Sequence, residues 1–472
     1  MTSAPAPRAF AAVDLGATSG RVVIGRVGDG RLDLEVVSRF PNGPVRRDDG
    51  LHWDIDALYE HVLGGLADAV RREPTLESIG IDSWAVDYGL LRHGALLAEP
   101  FHYRDERTTR GVDAVHAAVP FDQLHRRNGL QFLPFNTLYQ YRVDDRLSEA
   151  DTALLIPDLI AFRLTGRQVA ERTNASTTGL LDVRSMQWDL ELARMLNIPA
   201  SVLPALIDPG ETIGRLRPEL VERIGADLPV IAVGSHDTAS AVVAAPLTSP
   251  RAAYISCGTW GLVGLELTEP VVTDAAREAG FTNELGVDGR IRFLHNVTGL
   301  WLLSETIRAW EAEDDAPIDL PRLLDAAGAV LDDVPLFDAN DASLSSPGDM
   351  PARIAALLGT AAPTSRPAFT RSIVESISRA FADAVQQAAD LSGHPVDSIH
   401  LVGGGSLNRL LCQATADRSG LHVLAGPVEA TALGNVLVQA RAAGAVDRTA
   451  DLAALRALIA ETHTLTRYSP RG

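Results

Sequence analysis

The chain has 472 residues and a formal charge of −19, from 42 basic and 61 acidic side chains, with 46% hydrophobic and 22% charged residues. That length suits two or three domains at roughly 100–200 residues each; the apolar fraction excludes a disordered chain, and the acidic balance argues against a nucleic-acid or anionic-membrane partner while leaving room for an anionic small substrate. Every basic residue is arginine, and the lack of lysine excludes a Schiff-base aldolase, a pyridoxal-phosphate enzyme, a protein kinase and a Walker-type NTPase.

The leader Met1-Thr2-Ser3-Ala4-Pro5-Ala6-Pro7-Arg8 lacks the charged-then-apolar pattern of a signal peptide, and no run approaches the ~18–20 apolar residues of a membrane span. Residues 9–14 read as a buried strand, 16–20 as a turn and 21–27 as a second, β-branched strand. This opening is a β-hairpin, not a strand-to-helix nucleotide loop. Residues 31–40 alternate as a third strand after Gly28-Asp29-Gly30, residues 56–71 have helical spacing (Leu58, Val62, Leu66, Val70), and 78–82 form a short strand leading into Trp84.

Residues 103–206 are expected to be mostly helical and carry the string Gln131-Phe132-Leu133-Pro134-Phe135-Asn136. A strand is predicted over 228–234, then Ser235-His236-Asp237-Thr238 and a helix over 239–245. Residues 252–256 and 260–267 are predicted strands around the turn Cys257-Gly258-Thr259. This second hairpin repeats the first in form about half a chain later, which points to a duplicated domain with two phosphate clamps facing each other. Residues 342–351 read as a surface loop, and 361–367 as a second weak point. A long amphipathic helix is expected over 369–391, stopped by Gly393. A strand over 398–402, the run Gly403-Gly404-Gly405-Ser406-Leu407-Asn408 and a helix over 408–418 follow. The two cysteines, Cys257 and Cys412, offer neither a disulfide framework nor zinc spacing, so a reduced, cytoplasmic setting is expected.

Three motifs carry chemistry, each with a plainer reading beside it. In Asp14-Leu15-Gly16-Ala17-Thr18-Ser19-Gly20-Arg21 the glycines admit close backbone approach and the amides and hydroxyls can bind phosphate oxygens. Asp14 can face the water shell of a magnesium ion; the same residues also suit a plain turn. Asp237 reads equally as a helix N-cap or as a general base at the carboxyl edge of the sheet. The Gly403-Gly404-Gly405 run is either a flexible turn or a surface for adenine; it is no dinucleotide fingerprint, because Asn408 stands at the last glycine. Trp84 and Asp87 offer an apolar face and a hydroxyl acceptor.

Taken in order with Gly80-Ile81-Asp82-Ser83-Trp84, Tyr103-Arg104-Asp105, the string from Gln131 to Tyr139 and that from Ala425 to Asn435, these motifs resemble the FGGY carbohydrate kinases, over about residues 13–439. The resemblance implies an α/β fold of two actin-like (ribonuclease-H-like) domains, 1–245 and 246–472, closing on ATP, Mg²⁺ and a ketose in a cleft between them. It implies phosphorylation of L-rhamnulose at its C1 hydroxyl, giving L-rhamnulose 1-phosphate and ADP in L-rhamnose catabolism, by a monomer or homodimer. Asp237 is then the proton acceptor, and Ala85, His236, Thr238 and Asn296 are substrate contacts. Ala17, Thr18, Ser19, Gly20, Arg21 and Thr259 belong to the phosphate hairpins, and Gly403, Gly404 and Ser304 to the nucleotide site. Three residues depart from the family pattern: Ala85 stands for a glycine, Ser304 for a longer amide and Cys257 for a serine. The rival expectations are a kinase for L-fuculose or xylulose, a catalytically silent actin-like nucleotide-binding module, and a dehydrogenase built on the glycine run.

Overall fold

The structure is a computed structural model that describes residues 7–28, 30–247, 249–345 and 348–471. The expectations for Met1 to Ala6, for Asp29 in the turn after the second strand, and for Ser346 and Pro347 in the expected surface loop lie outside the described residues. The chain divides into two units. The first runs to Pro246 and takes in Glu266–Phe293 and Ala430–Thr462; the second comprises Leu247–Leu265, Leu294–Glu429 and the stretch from His463 onward. Compared with the expected division at 245/246, two later segments pack with the first unit.

In the first unit, β1 (Arg8–Leu15) and β2 (Ser19–Gly28) form the opening hairpin, and β3 (Arg31–Pro41) extends it antiparallel. β4 (Leu76–Ser83) pairs parallel with the other edge of β1. β5 (Thr212–Arg215) is the antiparallel edge strand beside β6 (Pro229–Ile231), which is parallel to β4. The order is therefore β5-β6-β4-β1-β2-β3. β1 is apolar from Ala9 to Val13 because both of its faces are covered, and from Ala9 to Leu15 every residue, Asp14 included, is buried. The helix Ile55–Arg72 is capped by Asp54, which accepts from the Ala57 amide, and buries Leu58, Val62, Leu66 and Val70 at helical spacing.

The second unit repeats this plan. β7 (Ala252–Cys257) and β8 (Gly261–Leu267) form a hairpin; β9 (Ser398–Val402) is parallel to β7, and β10 (His422–Ala425) is parallel to β9. β11 (Thr466–Tyr468) closes the edge antiparallel to β10. A hairpin strand followed by two parallel strands thus occurs in each unit, the topology expected of a duplicated α/β fold. The helix Arg366–Ser392 ends where Gly393 adopts φ 69°, and Asn408 caps Arg409–Ser419 by accepting from the Leu411 amide.

Residues 103–206 are predominantly helical, as expected: Thr108–Ala118, Phe121–Asn128, Thr137–Tyr141, Ile156–Thr165, Arg172–Ala175 and Leu190–Met195 are helices, with short strands such as Thr152–Leu155, Val169–Glu171 and Ala205–Ile207 between or after them. Strands of three or four residues are too short to show an alternation. One expectation needs correcting. The expected loop at 342–351 contains a 3₁₀ turn, Ala342–Leu344, and the start of the helix Met350–Leu358.

Candidate functional site

The first hairpin is fixed from both sides. Asp14 and Arg21 face each other in register, and Arg21 donates to Asp14 Oδ2 from Nε at 2.8 Å and from Nη2 at 2.6 Å. The turn closes with the Gly16 amide donating to the Ser19 carbonyl at 2.9 Å. Asn42 then staples it: its Nδ2 donates to the Gly16 carbonyl at 2.8 Å and its amide to the Thr18 carbonyl at 3.1 Å. Ala17 is half-buried, Thr18 and Ser19 are exposed, and Gly20 lies beneath the Phe40 ring. The guanidinium of Arg21, expected to serve phosphate, is engaged by Asp14.

Asp82 sits beside Asp14 on β4, in register with it. It is fully buried; Oδ2 accepts from Asn435 Nδ2 at 2.6 Å, while Oδ1 is buried with no hydrogen-bond partner. Asn435 is held by Gln439, whose Nε2 donates to Asn435 Oδ1 at 2.7 Å and to the Ala11 carbonyl at 3.0 Å, and Ser78 Oγ donates to Gln439 Oε1 at 2.7 Å. Burial, reinforced by the charges of Asp14 and Asp237, pushes the Asp82 carboxyl well above the usual range.

The segment carrying Asp237 is anchored behind by buried Glu171, which accepts from the Ser235 amide at 3.0 Å and Ser235 Oγ at 2.7 Å, and beside by the Ser83 amide donating to the Ser235 carbonyl at 2.9 Å. The helix Asp237–Ala244 begins at Asp237 itself. His236 holds the cap position without a side-chain bond, and Asp237 Oδ1 accepts from the Thr238 amide at 2.6 Å and Thr238 Oγ1 at 3.2 Å. Asp237 is therefore not the N-cap that sequence rules suggest. Its side chain keeps 33% of its surface accessible, so it can be reached where Asp82 cannot. Burial raises its pKa; His236 opposes that rise and the charge of Asp14 adds to it. His236 is buried, with Nε2 3.5 Å from Asp237 Oδ1 and Nδ1 2.9 Å from Arg292 Nη2.

Asp87 is no sugar acceptor. Its Oδ2 takes Trp53 Nε1 at 2.6 Å, Trp84 Nε1 at 3.2 Å and the Tyr103 amide at 3.1 Å, and its Oδ1 takes Gln140 Nε2 at 2.9 Å. It is a structural knot, with burial pushing its pKa up to about 6. Ala85, between Trp84 and this knot, is half-buried, and its carbonyl accepts from the Asp87 amide at 2.9 Å.

In the second unit, the Gly258 amide donates to the Trp260 carbonyl at 2.9 Å, and the start of the helix Trp301–Asp314 grips the turn. The Leu300 amide donates to the Gly258 carbonyl at 3.3 Å and the Trp301 amide to that of Thr259 at 3.0 Å. Gly403 adopts φ 83°, and a Cβ there would lie 2.9 Å from the Cys257 carbonyl oxygen; one on Gly405 would overlap Cys257 Sγ. Above Gly258 and Gly404, by contrast, space is open, so their backbones can be approached closely. Both cysteines are free and buried, and burial raises both thiols, Cys412 to about 12. Thr259 is half-buried, Ser304 is exposed on its helix, and Asn296 is half-buried on the strand Ile291–Val297.

The structure thus gathers Asp14, Arg21, His236, Asp237 and Thr238 in the first unit and Thr259, Gly403 and Gly404 in the second. Asp82, Glu171, Glu284, Arg292, Asn435 and Gln439 support these residues without standing among the sequence candidates, and only Asp82 and Asn435 lie in strings that could flag them.

Family models for the N-terminal and C-terminal domains of the FGGY family of carbohydrate kinases match residues 10–244 and 253–443. The chain belongs to the FGGY family of carbohydrate kinases. This FGGY kinase is 37% identical over 473 residues to a rhamnulokinase of Bacteroides thetaiotaomicron, covering 98% of this chain and 96% of that one. It is 40% identical over 474 residues to a rhamnulokinase of Pectobacterium carotovorum, covering 98% and 93%. Among solved structures, the gluconate kinase of Lactobacillus acidophilus superposes with a TM-score of 0.80 at 17% identity, covering 98% and 94%. The Plasmodium falciparum glycerol kinase with ADP gives 0.79 at 15%, also covering 98% and 94%. Among the described residues no helix is long and apolar enough to cross a membrane.

Proposed function

We propose that this kinase transfers the γ-phosphate of ATP to the C1 hydroxyl of L-rhamnulose, giving L-rhamnulose 1-phosphate and ADP in L-rhamnose catabolism. The observation that carries the reading is near-full-length identity of 37–40% to relatives bearing the rhamnulokinase name. The geometry of Asp237 supports the chemistry: a reachable carboxylate at a helix start, with a raised pKa suited to proton abstraction. Asp237 takes the C1 hydroxyl proton, the oxygen bonds to the γ-phosphorus, and the bond to the β-phosphate oxygen breaks to release ADP.

In this reading residues 1–245 supply the sugar contacts Ala85, His236 and Thr238 and the first hairpin, and residues 246–472 supply Asn296 and the nucleotide contacts. The amides and hydroxyls from Ala17 to Ser19 and Thr259 hold phosphate oxygens, and the open backbone at Gly258 and Gly404 suits a ligand lying directly on it. No group of three metal-binding side chains is assembled among the described residues. Asp14 is the carboxylate that would face the water shell of Mg²⁺, which keeps its waters and leans on one or two carboxylates. When bound, Mg²⁺ would offset charge on the phosphates. Asp82, whose Oδ1 is buried without a partner and whose pKa burial raises well above the usual range, stands behind that site.

Coupled ADP release with L-rhamnulose, L-fuculose, L-xylulose and D-xylulose tests the assignment, with the product's phosphate position read by ³¹P NMR. L-rhamnulose should give the highest kcat/KM and a 1-phosphate. A higher value for another ketose overturns the substrate, and ATP binding without sugar-stimulated turnover overturns the activity.

A further inference from the structure

His236 is held on the side away from Asp237 by two charged residues. Arg292 Nη2 lies 2.9 Å from His236 Nδ1 and donates to Glu284 Oε2 at 2.9 Å, while Arg292 Nε donates to the Leu285 carbonyl at 3.1 Å. Arg292 is fully buried and Glu284 nearly so. Arg292 Nη2 and Glu284 Oε2, 2.9 Å apart, form a buried ion pair of zero net charge.

A guanidinium has donors only. For the 2.9 Å contact with Nη2 to be a hydrogen bond, the ring nitrogen must accept with its lone pair. A neutral imidazole whose Nδ1 accepts carries its proton on Nε2, the nitrogen 3.5 Å from Asp237 Oδ1. A second proton on Nδ1 would set one N–H against another. We infer that Arg292, clamped by Glu284, is a positioning residue that fixes His236 as the neutral Nε2–H tautomer. The imidazole then presents a hydrogen-bond donor to an accepting oxygen of the sugar and does not compete with Asp237 for the hydroxyl proton.

The inference rests on the proposed reading in which the ketose binds beside Asp237. It assigns Arg292 and Glu284 a specificity role: they set which way one hydrogen bond to the sugar runs, so the substrate must offer an oxygen lone pair there. The competing arrangement has Nδ1–H donating to Glu284 Oε2, 3.2 Å away. It would leave Nε2 bare, turning His236 into a second base next to Asp237.

Long-range ¹H–¹⁵N correlation on the full chain labelled with ¹⁵N-histidine decides between them, with the His236 signals assigned by their loss in His236→Asn. The expected spectrum has an unprotonated Nδ1 and a protonated Nε2. Arg292→Met made together with Glu284→Gln, which leaves no unpaired buried charge, should mix the tautomers. It should also raise the ketose KM about tenfold, the loss of roughly one hydrogen bond, with the ATP KM unchanged. Arg292→Lys should restore part of the difference. A proton on Nδ1 in the wild type, an imidazolium at pH 7, or a folded double variant with the wild-type spectrum overturns the inference. If the double variant does not fold, the wild-type spectrum alone decides. If the tautomer is as stated but His236→Asn leaves the ketose KM unchanged, the sugar-pocket reading fails and the positioning pair stands.

Discussion

Asp14 and Asp82 lie side by side across the parallel strands β1 and β4, but their surroundings treat their charges in opposite ways. Asp14 is paired with Arg21 at 2.6 Å, whereas Asp82 has only the amide of Asn435 and no cation. The raised pKa of Asp82 means that the folded chain favours its protonated form. A group raised on folding contributes its stability at low pH and loses it as pH climbs from the ordinary carboxylate value, about 4, through the folded value. Asp82→Asn mimics the neutral acid and should therefore fold normally. Its Tm should gain on the wild type as pH is raised from 5 to 8, as read by thermal melts across that range; a gap that stays flat over that range would show that Asp82 is ionised in the folded protein.

Asp237→Asn should lower kcat by about 10²–10⁴, the usual worth of a positioned base, while ATP and ketose affinities measured by calorimetry stay within a few-fold. The wild-type rate should fall on acidification at a pH above the ordinary carboxylate range, because burial raises this group and the base must be ionised to work. That acid limb should be missing from the residual activity of the variant. Turnover near the wild-type rate would move the proton-acceptor role elsewhere.

The parts of the fold that could be read in the sequence were those in which local pattern and tertiary setting agree. The buried run of β1, the turn from Gly16 to Gly20 and the long helix Arg366–Ser392 each carry their own signal over consecutive residues. The support of the site does not. Asp82 meets Asn435 across 353 positions, and Ser78 meets Gln439 across 361, so nothing near either residue announces the pairing. Glu284 and Arg292 sit in no recognisable string and gain meaning only once His236 is between them and Asp237. Of the two readings open for Asp237, the cap lies one residue away: acidic residues suit both the cap and the first helical turn, and only the extended backbone of His236 decides which. In the middle segment, strands of three or four residues left too little chain for any period to emerge.

Asn42 holds the first hairpin through a single side-chain bond to the Gly16 carbonyl and is bonded to none of the proposed sugar contacts. Asn42→Ala should cost about 1 kcal/mol or less in stability and loosen the turn that presents Thr18 and Ser19. The KM for ATP should rise several-fold and that for the ketose should not. Equal rises in both constants would mean that the hairpin does more than hold phosphate.

Two glycines on different elements separate packing from ligand approach. A methyl on Gly434 would overlap the carbonyl oxygen of Ser240, on the helix that begins with Asp237, whereas one on Gly404 would meet nothing within 4 Å. Gly434→Ala must push that helix aside, so it should lose about 1–3 kcal/mol of stability, as overpacked sites do, and lower kcat through a displaced Asp237. Gly404→Ala should leave the Tm without nucleotide unchanged, because the open space accepts the methyl. With ATP present, however, its stabilisation should shrink as KM for ATP rises, since the methyl then occupies space that the nucleotide needs. Thermal melts of both variants with and without ATP distinguish these outcomes, and a Gly404→Ala protein stabilised by ATP as fully as the wild type would remove that glycine from the nucleotide site.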